Sequence, residues 1–363
     1  MKSKFKKLKN ILISLRKIIS TVKWFLINRY NLQSYTNINS QSIIYFDLKF
    51  NPFDRYLYLL GIFLEKENYL IVFKKRYSFI GSWSTSLLIN NLKNVYFSNN
   101  IPDNTILKIT DSNLLLFDKY ISSNYFNVKS DSLYIPMPMV DTFYKLKKDE
   151  ECIKLRNNFN RKIKIFFAGN IDKVSHNRIE IFKYFGINTR VEVVDWLRKN
   201  YMLVEPNNET QWNDVIKKSC DIVIGNRKIA NIKAEFLPII LSNSVFFIAL
   251  PGAVMPLCHN LIEAMACGCI PILNFNSHLH PKLEHGINCL LYENLNDLEK
   301  VINEALFLEK EVIEVMRNNV IAYYDDYLSV KSVVNNIIYG KEKNLLLNAE
   351  YNSLKFINNY HMM

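Results

Sequence analysis

The segment 246–273, reading FFIALPGAVMPLCHNLIEAMACGCIPIL, constrains the fold more tightly than any other part of the chain. Its first apolar run has the composition of a buried strand, and Pro251-Gly252 ends it. A helix is predicted over 259–267, stopping at Gly268, and a second apolar strand over 270–273. Two strands joined by a crossing helix run parallel. Parallel strands are buried on both faces, so helices must cover both sides of the sheet. The segment therefore places the chain in the α/β class.

The same alternation recurs on both sides of this segment. Strands are predicted at 43–48, 69–73, 94–97, 106–109 and 133–135, with helices at 53–67 and 83–92. Pro136 and Pro138 break the series, and a polar, charged stretch follows. A second series opens with a strand at 163–168 ending in Gly169. Helices are predicted at 177–185, closed by Gly186, and at 190–200, 212–218 and 235–241. Strands fall at 201–205, 221–224, 245–250 and 289–292, with a last helix at 295–308. At 363 residues the chain is long enough for two such cores. The expected organisation is an arm over 1–35, a first domain over 36–145, a linker over 146–162, a second domain over 163–340 and a polar tail over 341–363. In doubly wound sheets ligands sit beyond the carboxyl ends of the strands.

Chemistry concentrates on the helix predicted at 259–267. His259, Asn260, Glu263 and Cys267 share one face within about 100° by the helical period, while Leu261, Ile262 and Met265 can pack on the sheet. The N-terminus of such a helix offers unpaired N–H groups and a partial positive charge suited to a diphosphate. A carboxylate one turn further on has two acceptor oxygens for hydroxyl groups.

The stretch NLIEAMACGCIPIL, followed by HPKLEHGINCLLYENLNDLEKVINEAL, resembles the signature of glycosyltransferases with the GT-B fold. YIPMPMVDTFY is similar to the segment that ends the first domain in that family. KIKIFFAGNID is similar to the strand and glycine that open the second. The resemblance spans roughly residues 133–325; before that only the strand-helix pattern matches. It implies two Rossmann-like, doubly wound domains facing a cleft. It also implies transfer of a sugar from a nucleotide-diphosphate donor to a glycan or lipid-linked glycan acceptor, as in lipopolysaccharide, capsule or other surface polysaccharide synthesis.

On the same resemblance Glu263 takes the donor ribose hydroxyls, with Asn260, Gly252, Gly169 and Asn170 around the donor. Lys173 and Arg178 stand where the family sets cations against the diphosphate. His259 is the candidate catalytic residue on the donor side. The catalytic base or acceptor-binding group is expected from the first domain, where Asp47 and Asp54 follow the first strand. No metal or other cofactor is expected, since these enzymes handle the leaving diphosphate with a helix dipole and cations. One departure stands out: many relatives carry a second glutamate eight residues before the first, and Met255 occupies that place. The stereochemical course therefore stays open. A nucleotide-sugar epimerase of the same architecture, or a non-catalytic nucleotide-sugar-binding scaffold, are the alternatives.

The net charge of +12 would suit a nucleic-acid partner, but its distribution argues against one. Nine Lys or Arg fall in the first thirty residues, and the first acidic residue is Asp47. Without those nine the chain has 37 basic and 34 acidic residues, so its body is nearly neutral. Within the arm, Phe5, Leu8, Leu12, Leu15, Ile19, Val22 and Leu26 recur at helical spacing, with cations on much of the remaining surface. Such a helix suits an anionic membrane surface, with the protein on the cytoplasmic face of the cell membrane. The six cysteines lack the pairing of a zinc site and are expected as reduced thiols, four of them beside apolar runs. If the arm is the anchor, full-length protein binds vesicles containing anionic lipid and leaves them as salt rises, whereas a chain lacking the first 35 residues does not bind. Equal co-sedimentation of the two proteins would remove the membrane role from the arm.

Overall fold

In the computed structural model residues 41–360 are described, except 50–52, 54, 77–86, 89, 113, 128–130, 177 and 178. The predicted arm, Asp54 and Arg178 lie outside the described residues. The described chain divides into two units, the first running to Ile135 and taking back Val333–Asn352, the second formed mainly by Pro136–Ser332.

The first unit is built on strands β1 (Ile43–Asp47), β2 (Leu70–Lys74), β3 (Val95–Ser98), β4 (Thr105–Thr110), β5 (Lys119–Ser122), β6 (Ser132–Ile135) and β12 (Asn344–Leu347). Their order is β3-β2-β1-β4-β5-β12-β6, and every pairing is parallel. All five residues of β1 are buried, which its IIYFD sequence suits. Helix α1 (Arg55–Lys66) buries an unbroken run from Tyr56 to Leu64, and Phe46 stacks on Phe73 at 5.1 Å between centroids. Chain order reverses at β1, with β2 on one side and β4 on the other.

The predicted polar tail at 341–363 is not what forms. Leu345, Leu346 and Leu347 are fully buried, and β12 lies between β5 and β6. The polar residues around this four-residue strand conceal it, and its partners stand more than 200 positions earlier. A helix at Tyr351–Tyr360 follows it.

The second unit contains β7 (Ile163–Gly169), β8 (Cys220–Asn226), β9 (Ser244–Ile248), β10 (Ile270–Leu273) and β11 (Leu290–Leu291), in the parallel order β11-β10-β9-β7-β8. The predicted linker also differs: α2 (Lys148–Leu155) is a helix that packs within this unit and buries Cys152 completely. Residues 201–205 supply one isolated bridge, Val204 to Val223, instead of the predicted strand. Helix α3 (Arg190–Asn200) starts with a capping box in which Thr189 and Glu192 satisfy each other's backbone N–H groups. Helices α4 (Leu237–Ser242) and α5 (His259–Ala266) cover the sheet near β9 and β10. Gly268 ends α5 with φ +70°, and the N–H of Cys269 returns to the Ala264 carbonyl at 3.0 Å. All six cysteines are free thiols, four of them buried. No helix among the described residues is long and apolar enough to cross a membrane.

A chain ended at Gly340 tests the place of β12. Burying three leucines contributes about 1.5–3 kcal/mol each, which together matches a large part of a domain's about 5–15 kcal/mol of stability. The truncated protein is expected to lose part of its cooperative thermal transition by circular dichroism. An unchanged melting profile would show that β12 is dispensable.

Candidate functional site

In the second sheet β7 is where strand order reverses, with β8 on one side and β9 on the other. The loops beyond β7 and β9 carry Gly169, Asn170, Pro251 and Gly252, and α5 follows them. One side chain joins these loops. Arg190, buried at the start of α3, donates from Nε to the Pro251 carbonyl at 3.0 Å and from Nη1 to the Asn170 carbonyl at 2.9 Å. Its Nη2 lies 3.3 Å from Cys258 Sγ, and its guanidinium lies 5.4 Å from the Phe167 ring centroid. Burial pulls the guanidinium below its ordinary pKa, with the Cys258 thiol acting in the opposite direction.

Both loop glycines are fitted closely. A Cβ at Gly169 would meet Phe167 at 2.7 Å and Arg190 Nη1 at 3.1 Å. At Gly252 it would meet Cys258 Sγ and the Met255 carbonyl, each at 2.9 Å. Asn170 spends its side-chain oxygen on the Asp172 N–H at 3.0 Å, closing a local turn.

On α5, Glu263 is only 1% exposed. Its Oε1 lies 2.9 Å from His259 Nδ1 and accepts a hydrogen bond from the Val140 N–H at 3.3 Å. The carboxylate thus joins the donor-side helix to the segment 136–145, whose fold is fixed by buried Phe143 and by the Met139 N–H bonding Tyr144 Oη at 3.1 Å. Glu263, Asn260 and Arg227 line one small cavity with Ala168, Phe166 and Phe247. At about 10 Å³ it sits at the lower limit for a single water. Asn260 Oδ1 is buried with no hydrogen-bond partner among the described residues. A buried carboxylate and an unsatisfied carboxamide are costly, and their clustering at a strand-order reversal marks a functional-site candidate.

His259, Asn260 and Glu263 come together as their spacing predicts. Cys267 does not join them; it is fully buried, with its Sγ 3.9 Å from the Pro238 carbonyl on α4. Lys173 is exposed, and its ammonium lies 3.6 Å from Asp195 on α3. Met255 is buried, so the place of the missing second glutamate points into the core.

Asp47 lies in the first unit at the end of β1, and its carboxylate is largely spent on cations. Arg76 donates to it from both Nε and Nη2, the latter at 2.9 Å, and Lys74 Nζ donates at 3.2 Å. Burial alone would raise the Asp47 pKa, but the hydrogen bonds from Arg76 and Lys74 outweigh it and hold the pKa below the usual carboxylate value. The same bonds reduce its strength as a base. Among the described residues no group of three or more His, Cys, Asp or Glu is arranged to hold a metal ion.

Sequence reasoning missed Arg190, Arg227 and the Val140 contact. Arg190 did carry a signal: a cation in the first turn opposes the helix dipole, so it needs a compensating role.

No family model matches the chain, and no curated protein matches it. Solved structures resemble it in fold at low similarity. Anabaena HepE in complex with UDP is 12% identical, with a TM-score of 0.41 over 82% of this chain and 99% of that one. Sucrose-phosphate synthase from Thermosynechococcus elongatus is 11% identical, with a TM-score of 0.42 over 82% and 97%. A glycosyltransferase from Rickettsia africae is 16% identical, with a TM-score of 0.34 over 85% and 83%.

Removing the Arg190 guanidinium leaves the Pro251 and Asn170 carbonyls buried without a donor, at about 1–3 kcal/mol each. Arg190→Met is therefore expected to lower the calorimetric melting temperature by several degrees. Arg190→Lys, which keeps the charge but lacks the fork, should recover only part of the loss. An unchanged melting temperature in Arg190→Met would show that the two loops hold themselves.

Proposed function

We propose that the chain is a glycosyltransferase whose nucleotide-diphosphate-sugar donor is bound by the second unit at the N-terminal end of α5. The observation that carries this reading is the buried Glu263–His259 pair, set beside Asn260 on a helix that leaves the carboxyl end of a parallel sheet. The resemblance of residues 133–325 to glycosyltransferases of the GT-B type gives the pair its role. Glu263 accepts from the ribose hydroxyls, the helix N-terminus and the Gly252 loop face the diphosphate, and His259 lies toward the sugar. Because the cavity at Glu263 holds no more than one water, donor entry requires the carboxylate to exchange its Val140 contact for the ribose. The acceptor is a glycan or lipid-linked glycan of a surface polysaccharide pathway, lipopolysaccharide or capsule. The basic arm holds the enzyme to the cytoplasmic face of the membrane.

A second reading, a nucleotide-sugar binder without turnover, is favoured by the burial of Met255, which leaves no second carboxylate beside Glu263 on this loop. Both readings predict that one member of a panel of UDP-, GDP-, ADP- and CMP-sugars raises the melting temperature, since a ligand bound only by the folded state stabilises it. If none does, donor binding is wrong for both readings. Sugar consumption by the purified protein separates the enzyme from the binder.

Glu263→Gln keeps an acceptor for Val140 but loses the charge. It is expected to weaken nucleotide affinity by about tenfold or more, through the loss of about 1.5–3 kcal/mol of charged hydrogen bonding. His259→Ala should lower turnover more than it lowers affinity for the free nucleoside diphosphate. Unchanged calorimetric affinity in Glu263→Gln, or equal losses on both measures in His259→Ala, would withdraw the corresponding role.

A further inference from the structure

The first unit has its own opening where strand order reverses. A cleft of about 740 Å³ lies beyond the ends of β1 to β4, within the size range of small-molecule sites. One wall carries cations: Lys74 and Arg76 follow β2, and Lys49 follows β1. The other is apolar. Leu115 and Leu116 are 86% and 77% exposed, and Ile101 and Phe117 stand beside them. Asn99 and Asn100 complete the rim.

Two carboxylates face the three cations. Asp47 takes two N–H groups of Arg76 and one of Lys74, and Asp111 accepts from the backbone N–H of Lys49 at 2.7 Å. A guanidinium has five N–H donors and an ammonium three, so Arg76 and Lys74 keep donors beyond those held by Asp47. No acid pairs with the Lys49 ammonium among the described residues. Asp47 thus fixes two cations in place while leaving the wall positively charged overall. Two neighbouring, largely exposed leucines beside such a wall need an apolar partner more than isolated surface leucines do.

We propose that this cleft binds an amphiphilic anion, a phosphate monoester joined to an apolar chain, with the phosphate on Arg76, Lys74 and Lys49 and the chain along Leu115 and Leu116. The fork of Arg76 matches two phosphate oxygens, and the ammonium groups add point charges. Lipid-linked acceptors share this chemistry, so under the glycosyltransferase reading the cleft takes the acceptor's lipid end. The assignment itself uses only first-unit residues and holds whether or not the second unit binds a nucleotide.

The test is isothermal titration of the full-length protein with monomeric dodecyl phosphate, inorganic phosphate and neutral dodecyl maltoside. Dodecyl phosphate is expected to bind at least about tenfold tighter than either of the others, because only it engages both walls. Lys49→Gln and Arg76→Gln should each weaken it by about fivefold to tenfold. The exposed double change Leu115→Ser with Leu116→Ser should weaken dodecyl phosphate similarly and leave inorganic phosphate unchanged. If Arg76→Gln fails to fold once Asp47 loses its partner, Lys49→Gln and the leucine pair carry the test alone. Dodecyl maltoside binding as tightly as dodecyl phosphate would reduce the site to an apolar patch and overturn the proposal. So would dodecyl phosphate binding that survives all the substitutions, since the basic arm would then be its site. A parallel titration with the nucleotide sugars reads the second unit independently, so either assignment can fail without the other.

Discussion

Helix α5 is held at both ends by buried arginines that have no carboxylate partner among the described residues. At its start Arg190 reaches the Pro251 carbonyl and the Cys258 thiol. At its end Arg161 donates to the carbonyl of Cys267 at 2.7 Å, of Ser244 at 2.6 Å and of Arg156 at 2.8 Å. A cation at a helix C-terminus is favoured by the dipole and satisfies carbonyls that the helix leaves open. Buried guanidinium groups lose hydration, and here dense backbone hydrogen bonding replaces it. A cation answered only by carbonyls and thiols is a rigid device, since moving any one loop strands a charge. The placement of Glu263, Asn260 and His259 depends on this clamp.

With the backbone fixed in this way, the polar cluster on α5 needs little adjustment of its own. Glu263 is one turn beyond His259, so their pairing follows from helical periodicity, and the Val140 N–H supplies a second donor. Neither contact removes the cost of burying the carboxylate, because Asn260 beside it stays unsatisfied. Packing alone would favour apolar side chains here, as at neighbouring Leu261 and Ile262. The cost is intelligible if a ligand rich in hydroxyl groups completes the hydrogen bonding, as a ribose would.

Much of this was legible in the sequence because it is local. The run from Phe246 to Leu273 contains a strand, a Pro-Gly stop, an amphipathic helix, a glycine terminator and a second strand, each announced by adjacent residues. What stayed hidden depends on distant partners. β12 is four residues among polar neighbours and becomes a strand only because β5 and β6 leave a gap for it. The charged composition of residues 146–162 concealed α2, whose burial rests mainly on Cys152 and Asp149. The spacing on α5 placed Cys267 with His259 and Glu263, but a helical period cannot say which part of a face another helix will cover. Arg190 was visible only as a breach of a local rule, a cation placed at the wrong end of a helix.

The two units share one architectural rule and apply opposite chemistry to it. In each, a parallel sheet reverses its strand order, and the backbone beyond the strands parts at that point. In the second unit the crevice offers a helix N-terminus, a buried carboxylate and an imidazole, groups fitted to a diphosphate and to sugar hydroxyls. In the first unit the corresponding carboxylate, Asp47, is turned to the protein's own cations and serves to aim them. A carboxylate that receives three hydrogen bonds from cations gives up basicity in exchange for order. The same residue type therefore faces a ligand in one crevice and organises the ligand's counter-charge in the other. The difference is set by whether the following strand ends in Lys and Arg, as β2 does, or in a loop of glycine and apolar residues, as β9 does.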